Sequence, residues 1–244
     1  MTPSIFNPRE VIAQLHRYPA AATSLEDVPA DVAAVHVTTE TRALERLSEL
    51  PRLRYLYASQ LRAADFAAIC RAPQVTHLSA NVAEVRSLEP VGALTNLVAL
   101  MLHQNTKVPS LYGIEQLKKL QLLSLANFAV TVDLTPLSSC RDLRFIWLSG
   151  TTWTPMRVPS LAPLAPLSSL GWLTMSGVRV KDRSLKPLHS LKSLSEVRLT
   201  NFPDSELFAL AKALPDYDGR LLYSETAHRT WQRKLNEKIR DRAF

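Results

Sequence analysis

Apolar residues recur along the middle of this chain in the frame Leu-x-x-Leu-x-Leu, with polar or small residues between them. Copies of the frame follow one another at separations of 21, 22, 22, 23, 23, 27 and 24 residues, beginning at Val32, Leu53, Val75, Leu97, Leu120, Leu143, Leu170 and Leu194. The alternation inside each copy predicts a short strand, because successive side chains of a strand point to opposite faces. Between the strands, a second apolar series has a step of three, as at Leu185, Leu188 and Leu191. That step is typical of short 3₁₀ turns.

A unit of one strand and one tight return cannot bury its apolar side alone, so the units are expected to stack. Two stretches show the pattern best: Leu-Ala-Asn-Phe-Ala-Val-Thr-Val-Asp-Leu-Thr-Pro-Leu at 125–137 and Gly-Val-Arg-Val-Lys-Asp-Arg-Ser-Leu-Lys-Pro-Leu at 177–188. They resemble bacterial leucine-rich repeats of the internalin-like type. The resemblance implies a curved α/β solenoid with a parallel β-sheet on the concave face, short 3₁₀ or helical returns on the convex face, and a protein-binding role.

The sequence departs from this family at the ninth position of the unit, where members often place an Asn that hydrogen-bonds the turn backbone. Only Asn105 holds that position here, and the other units carry Glu40, Leu61, Ala83, Phe128, Thr151, Val178 and Phe202. The departure puts regular curvature in question, rather than the fold.

A helical cap is predicted before the array, because a terminal unit otherwise exposes its apolar face. Asn7 is a favourable N-cap residue, Pro8 suits the first helical position and Glu10 suits the third. We therefore expect a helix over residues 8–17 within an N-terminal cap that spans residues 1–30.

A second cap is predicted after the array. About eight repeats would fill residues 31–223, with a degenerate last strand near Leu221 and Tyr223. Residues 224–244 are then expected to form an amphipathic capping helix whose apolar stripe consists of Trp231, Leu235 and Ile239.

The concave face is predicted to carry an aromatic patch. With the leucines of the frame inside, the third, fifth and seventh residues of each unit point to the concave side. This places Leu122, Phe145, Trp147 and Trp172 together over three neighbouring strands. Each aromatic side chain offers about 150–250 Å² for burial, and large exposed apolar patches mark interaction sites. We therefore predict that a protein partner binds here.

The longest unit has its extra residues at 151–159, where a loop could bring Trp153 and Met156 to the patch. An alternative is that this loop folds over the concave face and buries the aromatic residues. The same face contains Arg198 and a more polar zone, so the predicted binding residues also include Tyr55, Tyr57, His77, Met101 and His103.

Composition adds a charge preference but no catalytic chemistry. The chain has 29 Lys and Arg against 22 Asp and Glu, a net charge of +7, which favours an acidic partner. Cys70 and Cys140 occupy apolar positions and are expected to be buried. His77 and His103 lie on adjacent strands but about 13 Å apart along them, which disfavours a shared metal ion. We expect no cofactor and no enzyme activity.

The sequence thus predicts a non-enzymatic protein–protein interaction module. Two more specific alternatives use the same face: a toxin-neutralising, immunity-type protein, and an effector secreted by a leaderless route. Nucleic-acid binding through the basic second half is a weaker alternative, because Arg198 is the one cation in the concave columns. Without a signal-peptide pattern or an apolar run of about 18 residues, we expect a monomeric bacterial protein in the cytoplasm that does not contact membranes.

Overall fold

The strands of the array form one parallel sheet. The computed structural model describes residues 7–200 and 202–214. Its sheet contains eight strands in the order β1-β2-β3-β4-β5-β6-β8-β10, and every neighbouring pair is parallel. The strands are β1 (Ala34–Val37), β2 (Tyr55–Ala58), β3 (His77–Asn81), β4 (Ala99–Asn105), β5 (Leu122–Phe128), β6 (Phe145–Ser149), β8 (Trp172–Ser176) and β10 (Glu196–Leu199), and the two others are β7 (Met156–Val158) and β9 (Val178–Val180).

The register of the sheet follows the repeat frame. Leu100 pairs with Leu123, which pairs with Ile146, and all three are buried in the array. The adjacent column also runs in register, with Tyr57 opposite Ser79. The predicted strands and the predicted concave columns are therefore confirmed.

The returns between strands are tight turns, as the step of three predicted. Six of them among the described residues are 3₁₀ turns, at Leu44–Glu49, Glu89–Ala93, Ile114–Gln116, Thr135–Ser139, Ala162–Leu164 and Lys186–Leu188, and a further 3₁₀ turn, Leu25–Asp27, precedes the first strand. Four of these turns have a proline at their start, where its missing N–H leaves no hydrogen bond unmade. One return is instead a helix, α2 (Ala63–Ile69).

The 27-residue unit uses its extra length to form a second sheet. Met156–Val158 (β7) pairs in parallel with Val178–Val180 (β9). Met156 and Val158 are buried in the core of the array, whereas Trp153 is 92% exposed. The alternative in which this loop covers the concave aromatics is therefore wrong, and so is the expectation that Met156 joins the patch. Met156 and Val158 alternate with the exposed Arg157, so both apolar side chains point into the core of the array instead.

The described chain ends in a helix that the sequence reading did not predict, α3 (Asp204–Ala213). Leu207 and Leu210 pack into the core of the array. Glu206 accepts a hydrogen bond from the backbone N–H of Leu185 at 2.6 Å, which joins the helix to the preceding unit. The predicted strand near residues 221–223 and the predicted helix at 224–244 lie outside the described residues.

The predicted N-terminal helix is present as α1 (Pro8–Leu15), two residues shorter than expected. The Asn7 side chain accepts a hydrogen bond from the N–H of Arg9 at 3.1 Å, which confirms the N-cap. It is residues 21–25 that cover the first strand, through a bridge from Ala21 to His36 and through Leu25, which is fully buried. This leaves α1 free to lie elsewhere, and it lies across the concave face.

Candidate interaction surface on the concave face

The centre of the predicted patch is covered by α1. Leu15 is fully buried in a cluster with concave residues that are themselves at most 3% exposed, namely Tyr57, Ala99, Met101, Leu122 and Phe145. Val11 and Ile12 pack against the same cluster and are half-buried. The structure therefore corrects the prediction that Tyr57, Met101, Leu122 and Phe145 form an open surface. The apolar stripe of α1 covers these side chains and removes them from water.

Polar contacts hold the C-terminal end of α1 and the residues that follow it. The Tyr57 hydroxyl donates a hydrogen bond to the Gln14 carbonyl oxygen at 2.9 Å, and burial raises the pKa of Tyr57 above its ordinary value. The hydroxyls of Tyr18 and Ser79 are hydrogen-bonded at 2.8 Å. The Tyr18 ring also packs on Tyr57, with centroids 4.9 Å apart. These contacts fix α1 over the first half of the sheet.

The more polar zone is only partly covered. Tyr55 and His77 stack with ring centroids 4.5 Å apart, and both are half-buried. His103 lies near the ring of His16, at 6.3 Å between centroids. Burial lowers the pKa of His77 to about 4. It also lowers the pKa of His103, with a smaller contribution from the nearby His16. Both imidazoles are therefore neutral near pH 7.

The other half of the patch lines an open groove beside α1. We call it the tryptophan groove. It has a volume of about 530 Å³ and is lined by Phe145, Trp147, Trp172, Thr174, Ser176 and Arg198 from the sheet and by Arg9, Ile12 and Ala13 from α1. Trp147 and Trp172 are half-buried, so each presents part of its ring to the groove. Three of the predicted patch residues, Trp147, Trp172 and the nearly buried Phe145, are thus brought together with Arg198 at one accessible site.

Charge is distributed unevenly around the tryptophan groove. The Arg9 guanidinium lies 5.1 Å from the ring centroid of Trp172 and 3.8 Å from a carboxylate oxygen of Glu196. Arg198 has no ion pair of this kind within residues 7–200 and 202–214. The buried Trp147 Nε1 has no hydrogen-bond acceptor in the same part of the chain. The Trp147 Nε1 is enclosed, so the cationic groups beside the apolar rings of the groove are those of Arg198 and Arg9.

Trp153 does not belong to this site. It lies on an exposed loop and does not line the tryptophan groove. The sequence reading missed the contribution of Arg9, Ile12 and Ala13, because it placed the N-terminal helix at the end of the array. The apolar stripe of α1 could have indicated that these helix residues lie at the concave face. The apolar side chains of that face would otherwise remain in water, and the stripe is suited to cover them.

Part of the positive charge lies on the small second sheet. Arg157 pairs in register with Arg179, and both are exposed, as are Lys181 and Arg183. None of these four residues lines the tryptophan groove. The net charge of the chain therefore does not describe the charge of the concave face. The cation that lines the tryptophan groove from the sheet is Arg198.

The cysteines lie inside the array, as predicted. Cys70 and Cys140 are buried, and burial raises the pKa of their thiols to about 12 and about 11. The Cys140 thiol donates a hydrogen bond to the Ile114 carbonyl oxygen at 3.3 Å. Across the described ranges, no group of three His, Cys, Asp or Glu side chains is placed to hold a metal ion, and no helix has the length and apolar character needed to cross a membrane.

Comparison with known proteins supports the fold. No protein-family model matches this sequence, and no curated protein matches it. Among solved structures, the chain is similar to an internalin from Listeria monocytogenes with a TM-score of 0.63 and 15% identity, over 86% of this chain and 59% of that one. Internalin C2 of the same organism gives a TM-score of 0.57 and 21% identity, over 75% and 78% of the two chains.

The chain spans about 59% of the length of the first internalin, and the identities are low, so the likeness concerns architecture. It coincides with what the residues show by themselves, a parallel sheet of leucine-frame strands joined by 3₁₀ turns. The chain therefore has the leucine-rich-repeat solenoid fold of these bacterial internalins.

Proposed function

We propose that this chain is a protein-interaction module that binds its partner at the tryptophan groove of the concave face. The observation that carries the proposal is the groove itself, in which Trp147 and Trp172 stand half-buried beside Arg198. Trp and Arg are the side chains most enriched among residues that dominate binding energies. They contribute most in a recess that a partner can fully desolvate.

The polar groups of the groove specify the chemistry of the contact. A partner that supplies a carboxylate to Arg198 would pair this cation, which lines the groove and is half-buried. Because unpaired buried donors are unfavourable, a partner that covers Arg198 without such an acceptor would bind more weakly. This arrangement supports an acidic segment of a protein as the partner.

The proposal includes a cytoplasmic monomer without enzyme activity that binds through this face. Neutralisation of a toxin and engagement of a host protein after leaderless secretion are two forms of the same binding function. Nucleic acid is a weaker candidate for the groove, since Arg9, which also lines it, is drawn towards Glu196. Binding that falls steeply with salt would favour nucleic acid instead.

The test uses matched tryptophan substitutions in the full chain. Trp172→Ser removes a ring from the groove, whereas Trp153→Ser removes an exposed ring outside it. The wild type is used to capture the partner from the native organism, and affinities are then measured with purified partner. Since hot-spot substitutions weaken binding by about 30-fold or more, we expect that loss for Trp172→Ser and near-wild-type affinity for Trp153→Ser.

Thermal unfolding of each variant separates a binding defect from a folding defect. Arg198→Glu provides a second variant, which changes the charge of a half-buried side chain without removing an aromatic ring. The proposal is wrong if Trp172→Ser and Arg198→Glu both fold and both retain wild-type affinity. A loss confined to Trp153→Ser would move the binding site to the 151–159 loop.

A further inference from the structure

The concave face already holds one helix of defined chemistry, which is α1. Val11 and Leu15 are four residues apart and Ile12 and Leu15 three, so the three side chains form a single stripe. All three pack on the concave cluster, with Leu15 fully buried. Apolar anchors at these spacings are the pattern by which an amphipathic helix binds in a groove. The arrangement is that of a receptor face with a bound helix, except that both belong to one chain.

The helix is too short to exist without the face. It has eight residues, and isolated helices shorter than about 12–15 residues are marginal in water. Two of its central residues, Val11 and Ile12, are β-branched and lower its helix propensity. Its order therefore comes from the sheet, and an α1 that leaves the face is expected to unfold.

The attachment of α1 is also limited in extent. Only Leu15 among its residues is fully buried, and Val11 and Ile12 are half-buried. At its N-terminal end, the ion pair between Arg9 and Glu196 is long, at 3.8 Å, and the Arg9 side chain is 65% exposed. Exposed pairs of this kind contribute little. The end of α1 next to the tryptophan groove is thus its weaker end.

The connection to the array allows α1 to leave without disturbing the first repeat. The two residues directly after it, His16 and Arg17, are exposed, and Tyr18 is the first residue after the helix that is held to the sheet, by its hydrogen bond to Ser79 and its packing on Tyr57. The array is anchored separately, by the bridge from Ala21 to His36 and by a second bridge from Ser24 to Arg42. His16 and Arg17 therefore form the hinge between a fixed array, to which Tyr18 is held, and a detachable helix.

We propose that the whole concave cluster is a receptor for an amphipathic helix of the protein partner, and that α1 is its built-in, exchangeable occupant. The proposal rests on the function proposed above and extends it. The partner first contacts the tryptophan groove beside Arg9 and then replaces α1 over Tyr57, Met101, Leu122 and Phe145. Its helix carries apolar residues at the spacing of Val11, Ile12 and Leu15, and a cation near its N-terminal end to face Trp172 and Glu196.

A peptide copy of α1 tests whether the face accepts a helix from another molecule. The probe is a fluorescent peptide of residues 7–18, and binding to the full-length protein is followed by fluorescence anisotropy. Leu15→Gln opens the face by removing the buried anchor while keeping a good helix former. Arg17→Gln is the control, because Arg17 is exposed and follows the helix.

The expected result is exchange that depends on the anchor. A tethered segment has an effective concentration of about 1 mM, so α1 should exclude the free peptide from the wild type and from Arg17→Gln. For a peptide that binds at about 10 µM, the opened Leu15→Gln protein should bind it about 100-fold more tightly than the wild type does. A peptide with Gln in place of Leu15 should not bind. Equal binding to all three proteins, or binding to none, overturns the proposal.

A measurement on the wild type covers the case in which Leu15→Gln does not fold. Local opening exposes amides to hydrogen exchange without global unfolding. The amides of residues 11–15 are expected to exchange at least about 100-fold faster than those of β5, and partner binding should leave β5 protected. Exchange of α1 at the rate of global unfolding would make it a fixed part of the fold, which overturns the proposal.

The two proposals fail in different ways. If Trp172→Ser abolishes partner binding while the α1 peptide binds no variant, the groove is the binding site and α1 is not exchangeable. If the peptide exchanges but Trp172→Ser and Arg198→Glu leave partner affinity unchanged, the proposed function is wrong, and with it the partner assigned to this face.

Discussion

Replacing Asn105 by Ala should destabilise the array more than any loss of one surface contact. Asn105 is the one Asn at the ninth position of the eight repeats, and its side chain is fully buried. Its amide Nδ2 donates to the carbonyl oxygens of Val82 and Val85 at 2.6 and 2.9 Å. Its Oδ1 accepts from the N–H groups of Lys107 and Val108 at 2.8 and 2.7 Å. Four backbone groups in two units therefore depend on one amide.

The magnitude follows from these four bonds. Each contributes about 0.5–1.5 kcal/mol net to the free energy of unfolding, so Asn105→Ala should lower it by about 2–6 kcal/mol. The bonds to Val82 and Val85 reach into the preceding unit, so part of the loss falls on the interface between repeats. Interfaces of this kind couple the units of a solenoid into one cooperative transition.

Urea unfolding followed by circular dichroism measures the effect. Asn96→Ala is the matched control, because the half-buried Asn96 makes only two side-chain hydrogen bonds among the described residues, both near the surface: it donates to the Pro73 carbonyl oxygen and accepts from the exposed Lys119 ammonium. We expect a change within about 1 kcal/mol for the control. A loss of less than about 1 kcal/mol for Asn105→Ala would refute the claim that this amide joins the units.

Three further predictions concern other parts of the fold. Because the folded pKa of His77 is about 4 and its ordinary value is 6.5, the unfolded chain takes up a proton first as the pH falls. Stability should therefore fall between pH 6.5 and 4, and His77→Gln should flatten this slope in urea midpoints. Cys70 and Cys140 should react with an aromatic disulfide reagent at the rate of unfolding, and fast labelling of the native protein would show that they are accessible. Gly113 has φ +103°, and a Cβ there would lie 2.6 Å from the backbone oxygen of Leu88. Gly113→Ala should lower the melting temperature, whereas an unchanged value would mean that the turn can shift.

The repeat architecture could be predicted because it is encoded locally and many times over. The apolar residue at the first position of each copy, as at Leu97 and Leu120, fixes which residues of the strand face inwards. The same phase then fixes the concave columns, and the observed register agrees with them at every strand. The step of three likewise fixed the 3₁₀ returns. A wrong phase assigned to one unit would disagree with the phase of the adjacent units.

The position of α1 could not be predicted in this way, because it depends on contacts between residues far apart in the sequence. Leu15 meets Phe145 in the same cluster, across 130 residues of chain. The sequence pattern gives the helix and its stripe but not the surface that receives the stripe. The 151–159 loop was misjudged for a related reason, since Met156 had a partner strand at 178–180 that repeat phase alone does not indicate.

The burial of half of the patch changes what substitutions there can show. Phe145 is 3% exposed and fully buried residues surround it, so Phe145→Ala would remove core packing and weaken any interaction indirectly. Leu122 and Met101 are buried in the same cluster, so substitutions there would also remove core packing. Trp147 and Trp172 stand at the border between α1 and the tryptophan groove, where a side chain can contact a partner while α1 stays in place. The proposed binding residues thus lie at that border, and the buried residues can contact a partner only if α1 leaves the face.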